Sequence, residues 1–180
     1  MEYQKFIPIE EHFLNKEEED KEFQEGQIVS GIVKSIQPYG AFIELAKGKV
    51  GLLYIEDISV ARMKTPAERL KIGQNVKVVV KSINRETKKI FLSCKELYGS
   101  WEENIKMFKI GEVVKGIARE TEKNKQGIFV ELRPNLVGLA EYKEGIEYGQ
   151  EVEVYIKKII PEKRKVKLII FGGGNKNGRR

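Results

Sequence analysis

The chain has 180 residues, of which 33% are charged and 41% hydrophobic, and its formal net charge at pH 7 is +6. This length suits one domain of ordinary size or two small ones, and no apolar run approaches the roughly 18 residues of a membrane-spanning helix. The first residues lack the basic-then-apolar order of a signal peptide. The single cysteine, Cys94, excludes an internal disulfide, so we expect a cytoplasmic protein with no membrane association.

The charge is distributed unevenly along the chain. Residues 1–26 carry −6, residues 27–96 carry +7 and residues 97–180 carry +5. A basic surface attracts polyanions through phosphate contacts, although a merely soluble surface could have the same composition. We interpret residues 1–24 as a partly disordered acidic leader. One hypothesis is that this leader folds over the basic region after it and competes with a polyanionic ligand, so that deleting residues 1–24 would tighten binding at low salt.

Short strands follow the leader. Glycine, proline and charged turns separate five segments rich in β-branched and apolar residues, at 28–36, 39–45, 50–55, 74–83 and 89–93. A helical turn is predicted at 65–69, because threonine caps and proline starts helices well. Five short strands within residues 25–96 predict a small closed antiparallel barrel, since closure removes the exposed edges of a small sheet.

The second predicted strand carries an unusual outer face. Side chains alternate along a strand, so Ala41 and Ile43 share the core side while Phe42 lies on the outer side. Tyr39 comes just before this stretch. A large outward aromatic either packs under a loop or forms a stacking platform for the bases of single-stranded nucleic acid.

The segment at 97–108 has a helical pattern. Ser100 and Glu103 have the spacing of a capping box. Trp101, Ile105 and Phe108 fall on one side of the predicted helix. We therefore predict a short linker helix, with Trp101 as an anchor at the domain junction rather than a base-stacking residue.

The pattern of the first barrel then repeats. Segments 109–117, 126–132, 137–140, 148–154 and 165–168 resemble, in the same order, 25–32, 39–45, 50–53, 72–78 and 89–92. The predicted fold is therefore all-β, with two tandem five-stranded barrels at 25–96 and 109–170 joined by a short helical linker. A glycine-rich basic tail is predicted to be disordered at 171–180.

These motifs resemble a known family. Gly31-x-Val33, Tyr39-Gly40-Ala41-Phe42, Gly51-Leu52-Leu53-Tyr54-Ile55, Gly73-Gln74-x-Val76-x-Val78 and Leu92-Ser93-x-Lys95 are similar to motifs of the S1 RNA-binding domain, named after bacterial ribosomal protein S1. The linker, with Trp101-Glu102-Glu103, also resembles the connection between successive repeats of that protein and its short relatives. The resemblance implies an OB-type barrel for each copy.

The resemblance also implies an RNA-binding face. In the first copy its positions correspond to Tyr39, Phe42, Tyr54, Asn84, Arg85, Lys88 and Lys89, and Lys34 is a further candidate to contact phosphate. Tyr54 could instead be a surface tyrosine that covers the loop above it. The second copy keeps Phe129, Arg164 and Lys165 but has Gln126, Glu141 and Ile160 at positions where the first copy has Tyr39, Tyr54 and Asn84. We therefore predict that the first repeat binds RNA and that the second assists electrostatically or contacts protein.

We expect binding, not catalysis. The predicted partner is single-stranded RNA (mRNA or rRNA), recognised with low sequence specificity in translation, by a monomer without cofactor or metal. The alternatives are a protein-interaction or ribosome-docking module, in which Phe91, Trp101 and Phe129 form interfaces, and an accessory factor in RNA turnover. His12 lies in the leader, Cys94 has no histidine nearby, and the acids of 17–20 form a run rather than a spaced metal site.

Overall fold

The computed structural model describes residues 22–121 and 126–173. Most of the predicted leader, with His12 and the acidic run, and residues 174–180 of the predicted tail lie outside these ranges. The described residues form two compact units. One contains the first barrel up to Tyr98, and the other contains Gly99 onward together with Val60–Arg62 of the loop in the first repeat.

The first unit is a closed five-stranded barrel, as predicted. Its strands are β1 (Ile28–Gln37), β2 (Gly40–Glu44), β3 (Val50–Tyr54), β4 (Asn75–Asn84) and β5 (Lys89–Ser93). They are hydrogen-bonded in the order β1-β2-β3-β5-β4. Every pair is antiparallel except β3 and β5, which run parallel.

Alternation places the core of this barrel where the sequence predicts it. Ala41 and Ile43 are fully buried, and so are Val76, Val78 and Val80 of β4. Gly31 permits the close approach of β1 to β2, because a Cβ atom there would collide with the Ile43 side chain. The predicted helical turn is a 3₁₀ turn at Pro66–Glu68, where the Thr65 side chain accepts the Ala67 N–H.

The predicted linker helix is a single short helix, α1 (Trp101–Ile105). The Ser100 side chain accepts the Glu103 N–H at 3.1 Å, and the Glu103 carboxylate accepts the Ser100 N–H at 2.9 Å. Both bonds of the capping box are therefore present. Trp101 and Ile105 pack against the core of the second barrel and Phe108 is buried in it, so these residues share one side of the segment, as predicted.

The second unit repeats the first barrel. Its strands are β6 (Val113–Thr121), β7 (Gly127–Arg133), β8 (Leu136–Glu141), β9 (Glu151–Ile160) and β10 (Lys165–Gly173), closed in the order β10-β8-β7-β6-β9. Residues 171–173, predicted as part of a disordered tail, are strand residues because Gly172 and Gly173 pair with β9. In the parts of the chain described, no helix is long and apolar enough to cross a membrane.

Candidate nucleic-acid interface

The outer side of the first barrel carries a continuous apolar row across three strands. Phe42 of β2 lies opposite Leu52 of β3, and Leu52 lies opposite Phe91 of β5. Directly opposed residues of neighbouring strands share a face and contact each other. All three side chains are partly exposed, so the row faces solvent rather than the core.

Four aromatic rings lie on this side of the barrel in two pairs. Tyr39 and Phe42 are perpendicular, with ring centroids 6.4 Å apart. Tyr54 and Phe91 are stacked, with centroids 5.9 Å apart and ring planes 9° apart. Both arrangements are favourable for aromatic pairs. We call the surface formed by Tyr39, Phe42, Tyr54 and Phe91 the aromatic face.

Phe91 was not among the predicted RNA-binding residues. The sequence pattern suggests Phe91 only as part of a protein interface, yet the alternation of β5 indicates its outward position. Ile90 and Leu92 are buried, so Phe91 between them must face outward. Its stacking on Tyr54 also shows that the ring of Tyr54 packs against another aromatic ring of the outer surface.

The turn between β4 and β5 holds most of the predicted polar and basic residues. The Asn84 side-chain oxygen accepts the N–H groups of Glu86 and Thr87, at 3.1 and 3.2 Å. This oxygen therefore fixes the turn. Lys88 adopts the left-handed conformation, with φ +59°, and Arg85, Lys88 and Lys89 are all exposed.

Lys34 lies at the other end of the apolar row. The register of β1 against β2 shifts between Val33 and Ser35, so Lys34 is the extra residue of a bulge. Bulges redirect side chains out of the regular pleat. Lys34 is exposed, and its neighbour Ser35 lies opposite Phe42. Lys34 is thus a cation next to the β1 end of the row.

The strand register identifies the corresponding positions in the second repeat. Phe129 lies opposite Leu139, and Leu139 lies opposite Lys167, which therefore occupies the position of Phe91. Glu141 lies opposite Gly127, as Tyr54 lies opposite Gly40. Of the four positions of the aromatic face, only that of Phe42 has an aromatic residue, Phe129, in the second repeat.

Charged side chains occupy or adjoin the other positions of this surface in the second repeat. Lys167 lies opposite Lys158, and Glu141 forms an exposed ion pair with Lys157 at 3.3 Å. The guanidinium of Arg164, a predicted RNA contact, donates to the Glu102 carboxylate at 2.8 Å. A backbone hydrogen bond and this ion pair lower the pKa of Glu102. Lys165 is exposed.

The described residues contain no group of three or more histidine, cysteine or acidic side chains that could hold a metal ion. Cys94 is buried, and burial raises the pKa of its thiol to about 12. The nucleophilic thiolate is therefore strongly disfavoured at neutral pH. The chemistry offered by the outer side of the first barrel is aromatic stacking and cation–phosphate contact.

Residues 22–95 match the family model described as S1 RNA binding domain. The small ribosomal subunit protein bS1 of Rhizobium meliloti is 36% identical over 158 residues, which are 81% of this chain and 27% of that protein. The bS1 protein of Staphylococcus aureus is 34% identical over 92% of this chain and 45% of its own length. A 4-hydroxy-3-methylbut-2-enyl diphosphate reductase of Clostridium acetobutylicum is 34% identical over 92% of this chain and 28% of that protein. The chain thus spans between about a quarter and a half of the length of these three relatives.

Proposed function

We propose that the chain binds single-stranded RNA with low sequence specificity, because residues 22–95 match the model of the S1 RNA binding domain. Bases stack on the aromatic face, and neighbouring lysine and arginine side chains contact the phosphates. The observation that carries this proposal is that four aromatic rings share one outer surface. They come from β2 and the residue just before it, from β3 and from β5.

Stacking explains the expected preference for unpaired RNA. Each base presents a flat face to an aromatic ring, and each such contact contributes about 1–3 kcal/mol. Duplex RNA hides its base faces inside the helix. Because every base can stack, the aromatic face favours accessible single strands over a particular sequence.

The exposed cations supply the electrostatic part of binding. Lys34 lies at one end of the row, and Arg85, Lys88 and Lys89 lie in the turn at the end of β4. Contacts between lysine or arginine and phosphate release bound counterions, so the affinity falls as salt rises. Asn84 contributes by holding this turn in shape.

The second repeat plays an auxiliary part in this proposal. Phe129 offers one stacking position, and the exposed Lys165 and Lys167 offer phosphate contacts. Arg164 is engaged by Glu102 and has to exchange that carboxylate for a phosphate before it can contribute. We therefore assign most of the affinity to the first repeat.

We infer a role in translation in the cytoplasm, as a binding protein rather than an enzyme, because two of the relatives described above are named as small ribosomal subunit proteins. Unpaired stretches of mRNA or rRNA are then the expected ligands. The barrels account for nearly all of the described chain, and the thiol of Cys94 is buried away from solvent.

The test is a binding titration with a labelled, unstructured RNA of about a dozen nucleotides, which is within the site sizes of barrels of this type. Wild type is compared at two salt concentrations with the double variant Tyr39→Ala, Phe42→Ala. We expect the variant to lose most of its affinity at both concentrations, because stacking is not screened by salt.

Two results would contradict the proposal. One is equal affinity of the variant and the wild type. The other is binding that disappears altogether at moderate salt, which would indicate charge attraction alone. In either case the aromatic face would be a protein-docking surface. A duplex RNA of equal length is the control, because it separates binding of single strands from general binding of polyanions.

A further inference from the structure

A groove of about 390 Å³ opens on the first barrel beside the aromatic face. Its apolar lining includes Phe23, Val50 and Ile83, and its basic lining consists of Lys49, Arg85 and Lys88. The volume lies within the range of about 300–1,000 Å³ that is usual for small-molecule sites. This lining matches the chemistry of a nucleotide, because an apolar floor with an aromatic ring suits a base and three cations suit a phosphate.

The groove is continuous with the aromatic face along β3. Val50, Leu52 and Tyr54 alternate with the core residues of this strand and share its outer side. Two residues of a strand span about 6.6 Å, so the groove begins one side-chain position beyond Leu52. A single strand that lies on the aromatic face can therefore continue into the groove.

The cations of the groove are held in place by local structure. The Asn84 side chain fixes the turn that carries Arg85 and Lys88. The Lys49 ammonium lies 5.8 Å from the centre of the Phe23 ring, a cation–π distance. Within residues 22–121 and 126–173, none of these three cations takes part in an ion pair with a carboxylate. Among the described residues, Glu22 is the one acidic residue of the lining.

In the second repeat the corresponding position is filled by the chain itself. Gly26 and Gly111 donate to equivalent residues of β4 and β9, so Phe108 corresponds to Phe23. Phe108 is buried, and Trp101 and Ile105 of helix α1 pack against the same core. Glu102 of this helix binds Arg164, the counterpart of Lys88.

The sequence before Phe23 lacks the residues that fill this position in the second repeat. Trp101 and Ile105 lie a fixed number of residues before Phe108. At the same spacing before Phe23, the chain has Lys16 and Asp20. Neither provides an apolar side chain to pack against Val50 and Ile83. The described part of the first barrel therefore carries a basic groove at the place where apolar residues of helix α1 pack against the second barrel.

We propose that this groove binds a further nucleotide of the single-stranded RNA that occupies the aromatic face, with its base against Phe23 and Val50 and its phosphate on Lys49, Arg85 and Lys88. This inference rests on the proposed function. It predicts that RNA long enough to leave the aromatic face gains affinity from residues that a very short RNA does not contact.

The experiment uses the full chain with labelled oligouridine of four and of twelve nucleotides. Lys49→Gln removes a groove cation, and Lys47→Gln is the matched control, because both lysines flank Gly48 and only Lys49 lines the groove. Phe23→Leu keeps an apolar side chain against the core but removes the ring. We expect Phe23→Leu to weaken binding of the dodecamer at least fivefold and Lys49→Gln to weaken it about threefold, with less than a twofold change for the tetramer and for Lys47→Gln.

Methyl NMR of Val50 and Ile83 provides a direct readout. We expect their signals to shift with the dodecamer and to stay in place with the tetramer. If both groove variants bind the dodecamer as tightly as the wild type, the inference is overturned. Lys49→Gln still tests it if Phe23→Leu lowers the melting temperature. If wild type itself fails to bind, or if Tyr39→Ala, Phe42→Ala has no effect, the proposed function has failed. If Tyr39→Ala, Phe42→Ala weakens binding but neither groove variant does, only the proposal about the groove is overturned.

Discussion

The two repeats share strand order and core pattern, yet their outer sides are chemically different. The first presents Phe42, Leu52 and Phe91 in one row across three strands. The second presents Phe129, Leu139 and Lys167 at the same positions. Core residues are constrained by packing from all directions, whereas outer residues are free to change. The difference shows that two barrels of one chain can share a fold while only one of them carries the aromatic face.

The largest expected effect compares the two copies directly. Tyr39→Ala, Phe42→Ala removes two stacking rings, and at about 1–3 kcal/mol for each base the affinity for single-stranded RNA should fall about 30-fold or more. Gln126→Ala, Phe129→Ala removes the corresponding side chains of the second repeat and should cost less than about tenfold. Fluorescence anisotropy at fixed salt measures both. Equal losses would show that the two repeats bind alike.

A second prediction concerns the position that the structure added to the site. Phe91→Ala should weaken RNA binding by about 5- to 100-fold, because it removes one ring of the face and the partner of Tyr54. Lys167→Ala, at the same position of the second repeat, should reduce affinity only slightly and lower the slope of log affinity against log salt by about 0.7. A large, salt-independent loss for Lys167→Ala would break the proposed asymmetry.

The fold could be predicted from the sequence more fully than the site, because strand alternation identifies outer residues but not their neighbours. Alternation along Ala41, Phe42 and Ile43 indicated both the core and the outer aromatic, because burial of one face gives a strict period of two. Alternation along β5 places Phe91 on the outer side, but its membership of the aromatic face requires knowing that β5 pairs in parallel with β3, the strand of Tyr54. The groove depends on what lies over a barrel end, which strand periodicity does not encode.

The repeats also differ in a buried charge. Glu44 of the first barrel is exposed, whereas its counterpart Glu131 is fully buried beside the buried Arg119, at 3.5 Å. Burial raises the pKa of the Glu131 carboxyl from its ordinary value to about 8. The folded state then binds more protons than the unfolded state between about pH 4.5 and pH 8, so the stability of this repeat falls as pH rises through that window.

We expect the second repeat to lose about 1–2 kcal/mol between pH 6 and pH 9, since one pKa unit corresponds to about 1.4 kcal/mol and Arg119 offsets part of the shift. Hydrogen exchange of the β7 amides measures this loss, with the β2 amides of the first repeat as the internal control. Glu131→Gln should flatten the pH dependence. An equal slope in the variant would assign the pH dependence to other groups.

The smallest expected effect tests the acidic segment before the first barrel. Residues 1–21 carry a net charge of −4, and this charge precedes the repeat to which we assign RNA binding. Their deletion should raise affinity for single-stranded RNA about two- to fivefold at low salt and have little effect at high salt, where exposed charges are screened. The deletion ends before Phe23, because that ring packs against the core of the barrel. Deleting residues 174–180, which carry +3, is the control and should lower affinity instead. An unchanged affinity at low salt after the first deletion would mean that the acidic residues neither cover the barrel nor repel RNA, and the two repeats would then differ only through their own surfaces.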